Sequence, residues 1–347
     1  MYRKSIVVSL VLVYLVIIAG AVVRMTGSGM GCPDWPKCFG YIIPPTEEGQ
    51  LEWQPDHSYE KGQVIIVDKS LLVAKNDFTS RNNFDTLNWN SYDKHDYAVF
   101  NPWHTWIEYI NRLLGALAGL AVLAMALISV IRLIKPHHHF QLQKKQIALS
   151  WVAVFLMGFQ GWLGATVVYS VLSPVRITLH MMVALLIVAL LIYILFIVTG
   201  KETKTKYHAK FKVLMVMALL LTCIQIVLGT QVRQFVDDQV DEVGYTLRGL
   251  WLAFPEWEFY VHRSFSIVVV ALNVYLLWLN QKFALGHKLF FWIIGLLGVE
   301  VLTGILMYYM DFPFLTQPLH LIIAALLFGV QFYVLLLSFR RKAIQTS

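Results

Sequence analysis

Charged residues are scarce in this sequence. They make up 14% of its 347 residues, whereas 58% of the residues are hydrophobic, and the mean hydropathy is positive. A soluble globular chain carries about 25% charged residues, because charge covers the surface that it exposes to water. This composition excludes an ordinary soluble protein and predicts one that is embedded in a lipid bilayer.

The sequence contains long apolar runs. Eight runs of about 20 residues are long enough to cross a bilayer as helices. They lie near residues 5–23, 105–131, 147–170, 177–199, 211–231, 257–279, 288–308 and 317–339. The first run lacks a clear small-residue cleavage site, which a secretory signal peptide would have, so we expect it to be a membrane span. The sequence therefore predicts an all-α polytopic membrane protein with eight transmembrane helices.

Basic residues are unevenly distributed between the two ends of the predicted spans. More than half of them lie in the two termini and in the loops after the second, fourth and sixth spans, whereas the long loop 24–104 contains more acidic than basic residues. Lys and Arg are retained on the cytoplasmic side of membrane proteins. We therefore expect both termini to be cytoplasmic and loop 24–104 to lie outside. The net charge of +7 then reflects topology and gives no support for nucleic-acid binding.

Cysteine is also scarce. The chain has three: Cys32 and Cys38 lie in the predicted outer loop, and Cys223 lies alone within a span. An oxidising outer compartment permits a disulfide between Cys32 and Cys38. Such a pair is either a structural staple or an exchangeable redox pair, and both interpretations stay open.

The two halves of the chain resemble each other. The matched residues, amino-terminal half first, are Gln160 and Glu300, Gly164 and Gly304, His180 and His320, Asn111-Arg112 and His262-Arg263, and the G-x-x-x-R elements Gly20–Arg24 and Gly229–Arg233. Both repeats begin on the same side of the membrane, so an axis along the membrane normal relates them. We predict two four-helix bundles related by a pseudo-two-fold axis. The amino-terminal repeat is 1–200 with the outer loop 24–104, the cytoplasmic linker is 201–212, and the carboxyl-terminal repeat is 213–347.

Three histidines lie close to the outer ends of their predicted helices, namely His180, His262 and His320. Inward-facing histidines on facing helices of a bundle can hold haem iron through two axial imidazoles. His262 and His320, on the second and fourth helices of one repeat, form the strongest pair. The alternative for each is a hydrogen bond between helices.

The tract 137–139 is a run of three histidines in a basic loop, and solvated polar sequence explains it better than a metal site.

Other polar groups accompany these positions. Arg112 and Arg263 occupy matched places, where a guanidinium could pair with a haem propionate or extend to the membrane interface. Glu108 has no acidic counterpart in the second repeat, where Phe259 stands, so we expect the two repeats to do different jobs. A carboxyl group within a span suits proton transfer. The alternative is an ion pair with Arg112, four residues further along the helix.

These features together resemble the haem A synthase family. The resemblance rests on the two four-helix repeats and covers nearly the whole chain, apart from much of the first outer loop. Its motifs are Glu108-x-x-x-Arg112, His262-Arg263, Pro318-Leu319-His320 and Cys32-Pro33-Asp34-Trp35-Pro36-x-Cys38. The resemblance implies an enzyme that oxidises a methyl substituent of haem O to the formyl group of haem A, for cytochrome oxidase biogenesis.

The resemblance also implies roles for individual residues. Haem b would be the cofactor, bound in the carboxyl-terminal repeat by His262 and His320, and the substrate haem O would bind in the amino-terminal repeat near His180. Glu108 matches the family's catalytic acid, and Cys32 with Cys38 matches its outer cysteine pair. The family lies in the bacterial inner (cell) membrane, with sites toward the outer side. Haem O synthase and cytochrome oxidase assembly proteins are the implied partners.

The sequence departs from the family at one position, because Asn111 stands where the E-x-x-H-R motif has histidine. Asparagine is a poor iron ligand. Two arrangements remain: His104 ligates the substrate haem, which would then lie about 10 Å further out by helix rise, or His180 alone binds it while Asn111 donates a hydrogen bond to a distal ligand. We favour the second, with Arg112 beside it.

Two other functions are compatible with parts of the pattern. One is a haem b electron-transfer membrane protein, or a haem-handling assembly factor, without hydroxylase activity. The other is a transporter, which parallel repeats and polar groups within spans would permit. The chain has no recognisable pair of broken helices at the midplane, so haem oxidation is the leading hypothesis.

Overall fold

The computed structural model describes residues 1–134, 144–200 and 205–339. The histidine tract 137–139 lies outside these residues. Parts of the predicted linker 201–212 and of the carboxyl-terminal repeat also lie outside them.

Within these residues, eight helices are long and apolar enough to cross a membrane. They are α1 Tyr2–Met25, α2 Pro102–Ile134, α3 Lys144–Tyr169, α4 Pro174–Thr199, α5 Ala209–Val243, α6 Trp257–Lys282, α7 Phe290–Tyr309 and α8 Thr316–Ser338. A helix satisfies its own backbone hydrogen bonds, which lipid cannot do. The chain is therefore an α-helical integral membrane protein, as the apolar runs predicted.

The eight helices form two rings of four. In the first ring α1 packs on α2, α2 on α3, α3 on α4, and α4 on α1; helices α5 to α8 repeat this order. The two rings meet where α4 packs on α8. On either side of this pair, α1 contacts α8 and, in the equivalent position of the other ring, α5 contacts α4. Exchanging the two halves reproduces these contacts, so the predicted pseudo-two-fold arrangement is confirmed. We call the end of the bundles at which α1 ends and α2 begins the loop end.

Apolar side chains fill the junction between the rings. Leu185, Val188 and Ile192 of α4 belong to one buried cluster with Ala325 and Phe328 of α8. Because both helices are surrounded by other helices, this junction forms the centre of the molecule.

Helix α5 is longer than its apolar run. The predicted span ended at residue 231, but the helix continues to Val243 and ends at Gly244, whose φ of 84° suits glycine. The acidic residues that lowered the hydropathy therefore lie on a helix. Asp237 helps to explain why the helix continues past the apolar run, because its carboxylate pairs with Arg233 one turn earlier. Hydropathy marks the length of the apolar run, and side-chain pairing lets the helix extend past it.

The segment between α1 and α2 forms a small β structure. Strands β2 Val64–Val67, β3 Ser70–Ala74 and β5 Trp89–Ser91 make an antiparallel sheet, and β1 Ser58–Tyr59 pairs with β4 Phe78–Thr79. Val64–Val67 is the one run of four β-branched residues in this segment, which favours a strand, and it forms β2. The other strands were not predicted from the sequence.

The missed strands are two to five residues long and depend on their partners. The hairpin between β2 and β3 turns at Asp68 and Lys69, both with positive φ, as a two-residue turn between twisted strands requires. Tyr59 and Trp89 then pack their rings together in the core of this segment.

Candidate functional site

A glycine on one helix faces a histidine on the next helix at three places. The pairs are Gly164 with His180, Gly229 with His262, and Gly304 with His320; a Cβ atom on these glycines would lie 3.2, 3.1 and 3.9 Å from Cε1 of the histidine. The fourth repeat-related place pairs Gly20 with Asn111, at 4.0 Å from Oδ1. The glycines leave space in which a ring can lie between two helices. The structure thus places the motif residues of both repeats in matched positions at the loop end.

His262 and His320 come together in the carboxyl-terminal bundle. Their ring centroids are 6.3 Å apart, and both rings line a cavity of about 500 Å³. Most of the other lining residues are apolar, among them Leu297 and Phe259. Such a cavity, with few polar groups placed in it, is typical of a site for a cofactor or small ligand.

His320 is held in one orientation by its neighbours. Its Nδ1 atom lies 2.9 Å from Oε2 of Glu300 and 2.8 Å from Oγ1 of Thr303. A carboxylate only accepts hydrogen bonds, so Nδ1 carries the hydrogen. This leaves Nε2 as the nitrogen that could bind a metal, in the arrangement that carboxylates commonly give to metal-binding histidines.

His262 has fewer partners. Gln225 donates from Nε2 to the carbonyl oxygen of His262, at 2.9 Å, which fixes the backbone. Nδ1 of the ring is buried and has no hydrogen-bond partner among the described residues. A buried imidazole nitrogen without a partner is costly, and a ligand in the cavity would offset that cost.

His180 lies in the amino-terminal bundle without the support that His320 has. Gln160 donates to its carbonyl oxygen at 3.0 Å, and Leu163 stands at the place of Thr303. In the described part of the chain, neither Nδ1 of His180 nor Oδ1 of Asn111 has a hydrogen-bond partner. No hydrogen bond or ring contact joins His180 to Asn111 or to His104 there.

Glu108 and Arg112 form the ion pair that we gave as one alternative. The Glu108 side chain is 5% exposed; Oε1 accepts a 2.5 Å hydrogen bond from Nη2 of Arg112 and Oε2 a 2.8 Å bond from the Cys32 amide. The same guanidinium donates to the carbonyl oxygens of Cys32, Asp34 and Lys37, at 3.0, 2.6 and 2.9 Å. Arg112 thereby fastens the cysteine loop to α2.

The cysteine loop, residues 31–38, has further attachments. Cys32 and Cys38 lie at disulfide distance, and Thr105 donates to the carbonyl oxygen of Gly31 at 2.7 Å. The carbonyl oxygen of Pro33 lies 2.9 Å from the Tyr92 hydroxyl and 3.0 Å from Nε2 of His95. Tyr92 and His95 follow the β structure, so that segment holds the loop from its other side.

Asp34 shapes the inside of this loop. Its carboxylate accepts hydrogen bonds from the amides of Phe39 and Gly40, at 2.5 and 2.7 Å. Burial raises the pKa of the Asp34 carboxyl, although both amides and the Arg112 charge act to lower it. The loop is therefore a compact unit that is rigidly joined to the Glu108 end of α2.

Sequence reasoning missed a second group of charges. Arg24 and Arg233, the last residues of the two G-x-x-x-R elements, both pair with Asp237. Arg24, Arg233 and Arg263 line the cavity that contains His262 and His320. Arg263 also lies 5.6 Å from the ring centroid of Phe259. The repeated arginines were the available signal, but Asp237 lies beyond the predicted span 211–231, so the sequence did not show that both arginines meet it.

Comparison with known proteins agrees with this geometry. A family model described as COX15-CtaA, cytochrome oxidase assembly protein, matches residues 3–65 and 88–332. The unmatched segment 66–87 holds strands β3 and β4.

Two curated proteins are similar over shorter regions. A protein named Heme A synthase from Shewanella oneidensis is 44% identical over 57 residues, which cover 15% of this chain and 17% of that protein. Another of the same name, from Wolbachia pipientis, is 25% identical over 218 residues, which cover 56% of this chain and 61% of that protein. The matches thus span less than two thirds of either relative. Because the family model covers most of both bundles and every residue of the candidate site described in this subsection, the chain belongs to the COX15-CtaA family of cytochrome oxidase assembly proteins.

Proposed function

We propose that this protein is a membrane oxidoreductase that oxidises a methyl substituent of haem O to the formyl group of haem A, for cytochrome oxidase biogenesis. The family match across both bundles carries the proposal. The names of the two relatives support the same activity. The difference between the bundles supports a division between cofactor and substrate.

Haem b is the proposed cofactor of the carboxyl-terminal bundle. The residues fit this group, since two imidazoles line one largely apolar cavity with ring centroids 6.3 Å apart. That separation leaves room for one metal ion at the bond length of about 2 Å that imidazole nitrogens make. His262 and His320 would hold the iron, and Arg263 would lie beside the porphyrin. When bound, the haem supplies electron-transfer chemistry.

The amino-terminal bundle is the proposed substrate side. His180 would bind the haem O iron, and Asn111 would donate a hydrogen bond to a distal ligand, with Arg112 beside it. His104 remains the alternative ligand. A hydrogen-bonded carboxylate raises the basicity of a metal-binding imidazole. His320 has such a partner, whereas Nδ1 of His180 has none among the described residues. This difference suits a retained cofactor on one side and a releasable haem on the other.

Glu108 is the proposed catalytic acid. The Cys32 amide and Arg112 fix both oxygens of its carboxyl group, so a proton held there has a defined position. This environment excludes bulk water, because the side chain is 5% exposed. Glu108 would hold or transfer a proton at Oε2, beside the Cys32–Cys38 loop. We propose that those cysteines form a disulfide, either structural or redox-active.

The proposed location is the bacterial inner membrane, with both termini cytoplasmic and the loop end outside. The basic residues at the opposite end support this orientation. The proposed units are 1–200, the linker 201–212 and 213–347. Haem O synthase and cytochrome oxidase assembly proteins would supply the substrate and receive the product.

Analysis of extracted haems tests the proposal. The protein is expressed with a source of haem O, purified, and its haems are separated and identified. We expect haem b together with hydroxylated or formylated haem in the native protein. Glu108→Gln should retain haem b and lose the oxidised products, whereas the exposed control Glu52→Gln should keep them. A native protein that contains haem b but yields neither product would contradict the activity.

A second candidate is a haem b electron-transfer protein or haem-handling assembly factor without hydroxylase activity. Asn111 favours it, since an axial position of the amino-terminal repeat lacks histidine. In that case the haem spectrum would disappear in His262→Ala, and Glu108→Gln would change no measured property of the holoprotein.

A further inference from the structure

Two arginines from different halves of the chain converge on one carboxylate. Arg24 lies at the end of α1, and its Nε and Nη2 atoms are 3.0 and 2.9 Å from Oδ2 of Asp237. Arg233 lies on α5, and its Nη2 atom is 2.6 Å from Oδ1 of the same residue. Nη2 of Arg233 also donates to the carbonyl oxygen of Arg24, at 3.0 Å. The cluster therefore joins the two bundles at the loop end.

Positive charge exceeds negative charge in this cluster. Two guanidinium groups share one carboxylate, and their side chains are 17% and 18% exposed. Nη1 of Arg233 is buried and has no hydrogen-bond partner among the residues that the structure describes. A buried cationic donor without an acceptor is unfavourable. The arrangement is incomplete without a further anion.

Arg233, which carries the unpaired Nη1 donor, lines the cavity that contains His262 and His320. Arg24 at the end of α1, Arg233 on α5 and Arg263 on α6 line it together with His262 and His320. The cavity thus combines a mostly apolar lining, two imidazoles and three guanidinium groups, two of which meet at Asp237. A ligand that matches it is flat and apolar with acidic groups on one edge, since guanidinium binds carboxylates through charge-assisted hydrogen bonds.

We propose that Arg24 and Arg233 form a carboxylate-binding subsite for the propionate groups of a tetrapyrrole in the carboxyl-terminal cavity. This inference rests on the proposed haem site. Asp237 holds the two guanidinium groups together, and Nη1 of Arg233 is the donor that the ligand satisfies. Because Arg24 belongs to α1, the amino-terminal half completes the cofactor site of the other half.

A ligand without acidic groups tests the subsite directly. The purified full-length protein is stripped of haem in detergent and titrated with haem b, and separately with haem b dimethyl ester, while the absorbance spectrum reports binding. We expect the native protein to prefer the free acid by about tenfold or more, as charge-assisted hydrogen bonds at a buried site would give. This comparison needs no substitution, so it does not depend on the folding of a variant.

Three variants test which arginines cause the preference for the free acid over the ester. Arg233→Gln and Arg24→Gln should each reduce it several-fold while leaving the affinity for the ester nearly unchanged. Arg248→Gln is the control, because that arginine packs on Trp251 at the same end and does not line the cavity. Repeating the titration with and without anionic lipid separates a propionate site from a lipid-headgroup site; competition by the lipid alone would overturn the assignment to propionate.

The outcomes separate this inference from the proposed function. Haem binding that depends on His262 but shows equal affinity for acid and ester would overturn the subsite and leave the haem site intact. An unchanged preference in both Arg24→Gln and Arg233→Gln would also overturn it. A native protein that binds no haem would overturn both proposals.

Discussion

The carboxylate of Glu300 lies 2.9 Å from Nδ1 of His320, and this contact distinguishes the two repeats. At the matching place Gln160 uses its amide to bond the backbone of His180, and the ring receives no partner from it. One side-chain difference thus gives one histidine an anionic neighbour and leaves the other without it. Repeats with the same helix packing can therefore bind their ligands with different strengths.

Glu300→Gln should weaken haem retention in the carboxyl-terminal bundle. Loss of a carboxylate that supports a metal-binding histidine costs about 10–100-fold in affinity, and a less basic imidazole should raise the midpoint potential of the haem. Haem dissociation rates and a potentiometric titration measure both effects. The exposed residue Glu256 supplies the control, Glu256→Gln. A variant with native retention and native potential would show that Glu300 does not support the ligand.

Gly229→Val should displace His262. A Cβ atom at Gly229 would lie 3.1 Å from Cε1 of the ring, so a branched side chain leaves no room for it. We expect loss of most of the haem spectrum from a protein that still folds. Gly298→Val on α7 is the matched control, since a Cβ atom there meets nothing within 4 Å. Equal haem content in the two variants would contradict this prediction.

Asn111→His should restore the missing fourth histidine. Gly20 faces Asn111 as Gly229 faces His262, so an imidazole has comparable space. We expect a second haem to be retained per chain, with the low-spin spectrum of two axial imidazoles, and slower release of product. Absorbance and electron paramagnetic resonance of the purified protein measure this. Asn90→His in the β structure is the control, and identical spectra for both variants would count against a substrate haem near Asn111.

Arg112→Gln should loosen the cysteine loop. The guanidinium donates to three loop carbonyls and to Glu108, and removing one partner of a buried ion pair costs about 3–5 kcal/mol. We expect a lower unfolding temperature and faster labelling of Cys32 and Cys38 after mild reduction. Arg81→Gln, an exposed change in the same segment, should behave as the native protein does. Native labelling rates in Arg112→Gln would argue against the clamp.

His287 should make the protein less stable at acidic pH. Its ring lies between α6 and α7, is 1% exposed and stacks on Phe211, and burial lowers its pKa from 6.5 to about 4. The unfolded chain then binds more protons than the folded one between these values, so stability falls as pH decreases below about 6.5. His287→Phe should keep the stacking and remove this part of the pH dependence. Unfolding temperatures of both proteins at pH 7 and pH 5 measure it; parallel decreases would exclude His287 as the cause.

Much of the fold could be predicted from the sequence because lipid imposes a simple rule. Every span must be apolar and helical, so all eight helices were identifiable, with errors only at their ends. The largest error was in α5, where Asp237 pairs with Arg24 and Arg233 from beyond the apolar run. The β structure was mostly missed, since its strands are short and take their stability from tertiary partners such as Tyr59 and Trp89.

The sequence by itself determined the spans, the duplication and the matched positions of Gly229 and Gly304 with respect to His262 and His320. These features follow from composition and from the spacing of residues along the chain, both of which can be read from the linear sequence. Only the tertiary structure decided which groups meet: Glu300 with His320, Arg112 with the cysteine loop, and Arg24 with Arg233 on Asp237. Such contacts join residues far apart in the chain, and their energies depend on distance and burial, which exist only after the helices have packed.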